Sequence, residues 1–120
     1  MKKILILDDA DDLLDLLTVF LTTNGFKVRT ASSKRELDHI LPVIMPDLIL
    51  IDVRLGGYDG REICNEIKKN ASTTHIPVIL LSASPELLKD YEKCGATATI
   101  EKPFSLGILL LKIKEVLSKG

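Results

Sequence analysis

Short apolar runs that stop abruptly at a polar residue constrain the fold of this chain more than any other feature. The clearest is Leu48–Ile51, which is followed at once by the carboxylate of Asp52. A continuous apolar run of this length is typical of a strand that is buried on both faces of a parallel sheet. Comparable segments end at Asp8, Ser82 and Lys102. The repetition predicts several parallel strands with polar groups at their carboxyl ends.

Apolar residues at helical spacing occupy the segments between these strands. Strands are predicted over 3–8, around Val28, and over 47–52, 77–82 and 97–101. Helices are predicted over about 11–24, over 33–41, in a segment after Gly60, over 84–94, and from Ser105 onward. Pro42 is expected in a loop. Five strands that are each followed by a helix imply an α/β fold, with right-handed crossovers and helices on both faces of the sheet.

The carboxyl ends of parallel strands share one edge of a sheet, where such folds bind ligands. We therefore expect Asp8, Asp9, Asp52, Ser82 and Lys102 to converge there, although they are scattered along the sequence. Taken alone, the Asp8-Asp9 pair is equally well interpreted as a cap for the helix that follows. The convergence with the other strand ends favours a binding site.

Three neighbouring carboxylates repel one another unless a cation offsets their charge. Mg2+ suits Asp8, Asp9 and Asp52 because it prefers hard oxygen ligands and commonly binds through carboxylates, waters and substrate phosphate. Mn2+ is the alternative. A backbone carbonyl just after Asp52, that of Arg54, is the expected fourth protein ligand. The sequence thus predicts a divalent metal site.

A phosphoryl group is the substrate that this set of residues suits. Lys102 offers a compact positive charge and Ser82 a hydroxyl donor, and both can stabilise phosphoryl oxygens. Asp52 can then act as a nucleophile on phosphorus and form an aspartyl phosphate. The sequence has no GxxxxGK[ST] loop, so a nucleoside triphosphate is not the expected donor.

Composition excludes several other classes of protein. The chain of 120 residues is expected to form one domain, and its net charge of −1 gives no electrostatic footprint for direct nucleic-acid binding. No segment approaches the roughly 20 apolar residues that a membrane span requires, so no membrane insertion is expected. A soluble, cytoplasmic protein is predicted. Cys64 and Cys94 have no CxxC spacing and are expected to be reduced thiols in helices.

Asp8-Asp9, Asp52, Ser82-Ala83 and Lys102-Pro103-Phe104, in this order and at these strand ends, closely resemble the receiver domain of two-component response regulators. The resemblance covers residues 1–120 and is strongest to stand-alone, chemotaxis-type receivers. It implies a flavodoxin-like (βα)5 three-layer sandwich with strand order 2-1-3-4-5. It also implies that Asp52 accepts a phosphoryl group from a sensor histidine kinase or a histidine phosphotransfer protein, with Mg2+ at Asp8 and Asp9.

The resemblance assigns further roles and exposes a departure from the family pattern. It implies that Ser82 is the switch hydroxyl beside Ala83, that Lys102 contacts the phosphoryl group, and that the bond to Pro103 is cis. Thr99 stands where the family often has an aromatic residue that reports phosphorylation. Arg54 and Ser84 match two variable positions that tune the lifetime of the aspartyl phosphate.

The last helix carries an unbroken apolar run that exceeds a single buried stripe. Leu106, Ile108 and Leu111 are expected to form an exposed apolar patch, which often marks a partner surface, although scattered surface leucines are an equal alternative. In receivers this helix often belongs to the output or dimerisation face. A phosphorylation-dependent homodimer and an unknown downstream protein target are therefore expected.

The sequence predicts a signalling switch and not an enzyme with a separate substrate. It would catalyse only its own phosphoryl transfer and dephosphorylation, and would change its affinity for a partner on phosphorylation. One alternative is a phosphorelay intermediate that passes its phosphoryl group to a histidine phosphotransfer protein. Another is a docking module that keeps the fold and works without phosphorylation.

Overall fold

A fully parallel five-stranded sheet organises the protein, here described for residues 1–119 in a computed structural model. The elements in chain order are β1 (Lys3–Leu7), α1 (Asp11–Thr23), β2 (Lys27–Ala31), α2 (Lys34–Ile44), β3 (Leu48–Asp52), β4 (Arg54–Leu55), β5 (Tyr58–Asp59), α3 (Gly60–Lys69), β6 (Val78–Ser82), α4 (Pro85–Leu88), a 3-10 helix (Tyr91–Cys94), β7 (Ala98–Glu101) and α5 (Leu106–Ser118). Among the described residues, no helix combines the length and apolar character that a membrane crossing needs.

The strand order in the sheet is β2-β1-β3-β6-β7. Because β4 and β5 form a separate small hairpin, this is the order 2-1-3-4-5 for the five strands of the large sheet. The predicted fold class is therefore confirmed. In the parallel register Leu7 lies beside Ile51, Asp52 beside Leu81, and Ser82 beside Glu101, so the carboxyl ends of the central strands share one edge.

Two apolar layers cover the two faces of the sheet. Alternate strand residues such as Leu5 and Ile49 pack with helices α2 and α3, whereas Ile4 and Leu50 pack with α1 and α5. All five residues of β3 are buried. This two-sided burial explains why the strand reads as one continuous apolar run, and it fixes the register that places Asp52 at the sheet edge.

The single helix predicted over 84–94 is wrong. Helix α4 ends at Leu88, and the chain resumes as a 3-10 helix only at Tyr91. Asp90 lies between them with φ +53°, a left-handed conformation that interrupts a helix and that aspartate tolerates better than most residues. The predicted stop at Gly95 is present, with φ +91°.

Pro42 lies inside α2 and not in the predicted loop, which is a second correction. The helix extends to Ile44, and a hydrogen bond of 3.0 Å from the Met45 N–H to the Leu41 carbonyl closes its last turn. Both Leu41 and Ile44 are buried. Packing of these residues against the sheet offsets the backbone donor that proline lacks.

The segment after β3 forms a hairpin of two short strands that the sequence did not predict. Arg54 pairs with Asp59 and Leu55 with Tyr58 in antiparallel register. Gly56 and Gly57 make the turn with φ values of +22° and +87°, which matches the preference of tight hairpins for positive φ at both central residues. The hairpin carries Arg54 to the edge at which β3 ends.

Candidate functional site

Three carboxylates meet at the carboxyl edge of the sheet. Asp52 is the last residue of β3, Asp8 directly follows β1, and Asp9 follows Asp8. One carboxylate oxygen from each residue lies within 4.8 Å of the other two. Asp8 and Asp52 are buried, with 1% and 7% of their surfaces exposed, whereas Asp9 is exposed. The carboxylates of Asp8 and Asp52 are thus buried at the edge of the sheet, and that of Asp9 is exposed to solvent.

Lys102 links two of these carboxylates. Its Nζ donates a hydrogen bond of 2.9 Å to Asp8 Oδ2 and lies 3.3 Å from Asp52 Oδ1. The backbone holds this lysine in place, because the Lys102 N–H donates to the Ser82 carbonyl at 2.8 Å. The peptide bond between Lys102 and Pro103 is cis. Residues from the ends of β1, β3, β6 and β7 therefore converge.

The charges of the cluster shift two pKa values. Burial raises the pKa of Asp52, the negative charge of Asp8 raises it further, and Lys102 opposes both effects. Burial alone would lower the pKa of Lys102, but its hydrogen bond to Asp8 and the charges of Asp8 and Asp52 raise it overall. The Lys102 side chain is therefore held in its charged form. Its single positive charge does not offset the negative charge of the carboxylate cluster.

Asp8 does not cap the first helix. Its Oδ1 accepts a hydrogen bond of 2.9 Å from the N–H of Ala10, which is itself the N-cap residue of α1, and no side chain of the described residues caps this helix. The capping interpretation of the Asp8-Asp9 pair is therefore wrong, and Asp8 belongs to the carboxylate cluster.

A cavity of about 340 Å³ opens beside the Asp52 carboxylate. Its walls are formed by Asp52, Arg54, Ser82, Ala83, Ser84 and Lys102. Ser82 is buried, and its oxygen accepts a hydrogen bond of 3.0 Å from the Ser84 N–H. The hydroxyl hydrogen of Ser82 is thus the group that it offers as a donor to a molecule in the cavity.

The remaining predicted residues lie around this site or away from it. Thr99 lies within β7 opposite Leu80 and is partly buried. On α5, Ile108 and Leu111 are 57% and 69% exposed, whereas Leu106 is partly buried against the core. The patch on this helix therefore centres on two residues and not on three.

Gly60, which the sequence indicated only as the residue before a predicted helix, also lies at the site. A Cβ at this position would overlap the backbone carbonyl oxygen of Asp52 and would lie 2.8 Å from Cγ2 of Ile51. The Gly60 N–H donates to the Val53 carbonyl at 2.7 Å. The absence of a side chain lets the start of α3 pack directly against the backbone of Asp52. The sequence signal for this role is the Asp59-Gly60 pair, but such pairs are common in turns and do not indicate close packing by themselves.

Comparison with known proteins agrees with this geometry. Residues 4–114 match the family model described as the response regulator receiver domain. The chain belongs to this family. The resemblance predicted from the motifs is thereby confirmed, and the protein is a receiver domain of the two-component response regulators, for which a phosphoacceptor role is characteristic. Receiver domains are signalling switches that work with histidine kinases.

Individual relatives support the same assignment. The transcriptional regulatory protein AfsQ1 of Streptomyces coelicolor is 34% identical, in an alignment that covers 100% of this chain and 53% of AfsQ1. A two-component response regulator from Clostridium difficile has a TM-score of 0.90 at 27% identity, covering 98% of this chain and 97% of that chain. The Vibrio cholerae chemotaxis protein CheY4 has a TM-score of 0.89 at 27% identity, covering 97% and 98%.

The curated relatives are longer than this receiver domain. The chain spans 25%, 53% and 52% of the lengths of three of the curated relatives that it matches. The similarity therefore concerns the receiver portion of those proteins.

Proposed function

We propose that Asp52 of this receiver domain is the phosphoacceptor, and that phosphorylation changes the affinity of the domain for a protein partner. The observation that carries the proposal is the position of the Asp52 carboxylate, which lines a cavity together with Ser82 and has Lys102 Nζ at 3.3 Å. The nucleophile, a positively charged side chain and a hydroxyl donor thus line the same cavity. Phosphoryl transfer requires mainly such positioning and neutralisation of charge.

A divalent cation fits the acidic cluster. Asp8, Asp9 and Asp52 supply hard oxygen donors within 4.8 Å of one another, and the raised pKa of Asp52, caused by burial and by Asp8, indicates negative charge that is not fully offset. These three carboxylates, with the backbone carbonyl of Arg54, would hold Mg2+ or, alternatively, Mn2+. When bound, the metal supplies positive charge that stabilises phosphoryl oxygens.

The phosphoryl donor is a phosphohistidine of a sensor histidine kinase or of a histidine phosphotransfer protein. A carboxylate oxygen of Asp52 forms the new bond to phosphorus while the phosphorus–nitrogen bond breaks, and the electron pair leaves with the imidazole. Lys102 and the Ser82 hydroxyl then contact the phosphoryl oxygens, and the Ala83 backbone N–H adds a donor. Ser82 is the switch residue because its hydroxyl changes partner when the phosphoryl group arrives.

Two residues of the cavity wall control the lifetime of the aspartyl phosphate. Arg54 is exposed and Ser84 is partly buried, and both line the cavity beside Asp52. Their side chains therefore lie on the path by which water reaches the phosphorus atom. The domain thus catalyses its own dephosphorylation in the cytoplasm, and Arg54 and Ser84 set its rate.

The signal leaves through a protein surface and not through direct nucleic-acid binding. The net charge is −1, and the exposed side chains of Ile108 and Leu111 offer an apolar face on α5. This face would bind a downstream protein or a second copy of the domain after phosphorylation. Because Thr99 replaces the aromatic residue common in the family, the coupling runs through Ser82 and the backbone around it.

The metal dependence of labelling tests the proposal. The protein is incubated with a small phosphoramidate, a chemical analogue of phosphohistidine, over a series of Mg2+ concentrations, and the phosphorylated fraction is measured by intact mass. Asp9→Asn should raise the half-maximal Mg2+ concentration at least about tenfold, as expected when a metal-binding group is lost. Asp15→Asn, an exposed carboxylate of α1, is the matched control and should leave it unchanged. Equal Mg2+ requirements for Asp9→Asn and the natural protein would refute the metal site.

A further inference from the structure

Two cysteines that are far apart in sequence meet on the face of the sheet covered by α3. Cys64 is fully buried in α3, and Cys94 ends the 3-10 helix and packs against the same apolar cluster. The Cys64 thiol donates to the Cys94 carbonyl oxygen at a sulfur–oxygen distance of 3.4 Å. Both thiols are free and lie in helical segments, as the sequence predicted. Their proximity is an additional finding, because Cys64 is in direct contact with residue 94.

The two segments that carry these cysteines are closely packed. At the next residue, Gly95, a Cβ would lie 2.6 Å from Cγ of Lys68, which is one helical turn beyond Cys64 on α3. The backbone at 94–95 thus rests directly on α3. The contact between the Cys64 sulfur and the Cys94 carbonyl group thus places the two cysteines side by side at this junction.

The electrostatics of the pair are those of two neighbouring thiols. Burial raises the pKa of Cys64 to about 12, and the neighbouring side chain of Cys94 adds to the increase. Cys64 therefore carries almost no thiolate at neutral pH and is a poor first nucleophile. It can react only when a partner sulfur is already beside it.

Cys94 is the accessible member of the pair. It is partly exposed and lines a groove of about 560 Å³ between α3 and the segment after α4. Charged side chains of both signs line the same groove, among them Arg61 and Lys93. The groove thus admits a small polar disulfide to residue 94, where the thiol donates to the Tyr91 carbonyl at 3.1 Å, whereas Cys64 is fully buried.

We propose that Cys64 and Cys94 form a reversible intramolecular disulfide, with Cys94 as the residue that reacts first with an external disulfide oxidant. This modification site is separate from the acidic cluster and does not depend on the role proposed for Asp52. It makes the receiver domain sensitive to redox conditions through a bond between α3 and the segment that joins α4 to β7.

The chemistry balances with oxidised glutathione as the oxidant. The Cys94 thiolate attacks one sulfur of glutathione disulfide, the sulfur–sulfur bond breaks, and one glutathione thiolate leaves. Cys64 then loses its proton and attacks the Cys94 sulfur, which expels the second glutathione. Two protein thiols are oxidised to one disulfide, and one glutathione disulfide is reduced to two molecules of glutathione.

The folded natural chain is treated with oxidised glutathione at several protein concentrations, and intact mass and peptide mapping are recorded. The expected product is a monomer lighter by two hydrogen atoms, with Cys64 and Cys94 in one linked peptide, formed at a rate independent of protein concentration and reversed by dithiothreitol. Stable glutathione on Cys94 with Cys64 still reduced would overturn the proposal. Disulfide-linked dimers, or an internal bond that forms only in urea, would also overturn it.

Two variants separate the roles of the two sulfurs. Cys64→Ala should stop at the glutathione adduct on Cys94, because the second attack has no nucleophile. Cys94→Ser should remain unmodified under conditions that convert the natural chain completely. Modification of Cys64 in Cys94→Ser at the natural rate would contradict the order of attack. Circular dichroism of both variants establishes that they are folded when they are tested.

Discussion

At the scale of single residues, the ionised carboxylate of Asp52 lowers the stability of the folded chain. Burial and the neighbouring Asp8 raise its pKa, although Lys102 offsets part of the effect. Unbalanced charge of this kind suits the proposed binding of a cation and a phosphoryl group, and functional sites often reduce stability in exchange for activity. The proposed ligands would relieve this unfavourable electrostatic energy.

Replacement of Asp52 should therefore stabilise the metal-free protein. A raised folded pKa contributes stability that is fully present below the unfolded value, near 3.8, and that is lost as the pH rises through the folded pKa. The loss is complete once the Asp52 carboxyl is ionised in the folded protein, so Asp52→Asn should then increase the free energy of unfolding by about 1 kcal/mol, a typical gain from relieving a functional site. Urea denaturation with EDTA over a pH series measures the difference.

The advantage of Asp52→Asn should shrink as the pH falls through the raised pKa of Asp52, because the natural carboxyl is then neutral as well. Asp15→Asn, which removes an exposed carboxylate, controls for the change in net charge. An equal gain in stability at every pH, or a less stable Asp52→Asn, would show that the charge of Asp52 does not lower the free energy of unfolding.

At the scale of elements, local propensity and tertiary packing compete, and packing wins in α2. Pro42 indicated a loop, yet α2 continues through it because Leu41 and Ile44 are buried on the sheet. The opposite happens after α4, where Asp90 turns left-handed and divides the predicted helix. Neither outcome was predictable from spacing alone, because each depends on contacts with elements distant in sequence.

The junction of β3 and α3 depends on the missing side chain of Gly60. Gly60→Ala should lower the free energy of unfolding by about 1–3 kcal/mol, since the added methyl group overpacks the backbone of Asp52. Gly107→Ala is the matched control, because nothing lies nearer than Oγ of Ser105 at 4.0 Å and alanine favours a helix. Gly107→Ala should therefore stabilise the domain by up to about 1 kcal/mol in the same urea assay. Equal effects of the two substitutions would refute the close approach of α3 to Asp52.

At the scale of the whole molecule, the sequence predicted the sheet and the site together because both follow from topology. Once five parallel strands were recognised, Asp8, Asp52, Ser82 and Lys102 had to meet at one edge. The meeting of Cys64 and Cys94 could not be predicted in this way. It depends on how the broken α4 segment packs on α3, which no periodic pattern in the sequence encodes.

Phosphorylation should also change how whole molecules associate. If α5 forms the output face, the labelled protein should elute from a sizing column as a dimer while the unlabelled protein does not. Leu111→Lys should prevent the shift without reducing the phosphorylated fraction, because a charge would have to be buried in the interface. Val43→Lys, at an exposed valine of α2, should leave the dimer intact. Equal dimerisation of both variants would exclude α5 as the interface.

The most direct test of the account is intact-mass analysis after incubation with a small acyl phosphate, with Mg2+ or with EDTA. The natural protein should gain one phosphoryl group with Mg2+ and almost none in EDTA, and Asp15→Asn should behave in the same way. Asp52→Asn should gain none under either condition. Labelling of Asp52→Asn to the extent of the natural protein, or no labelling of the natural protein with Mg2+ present, would contradict the assignment of Asp52 as the phosphoacceptor.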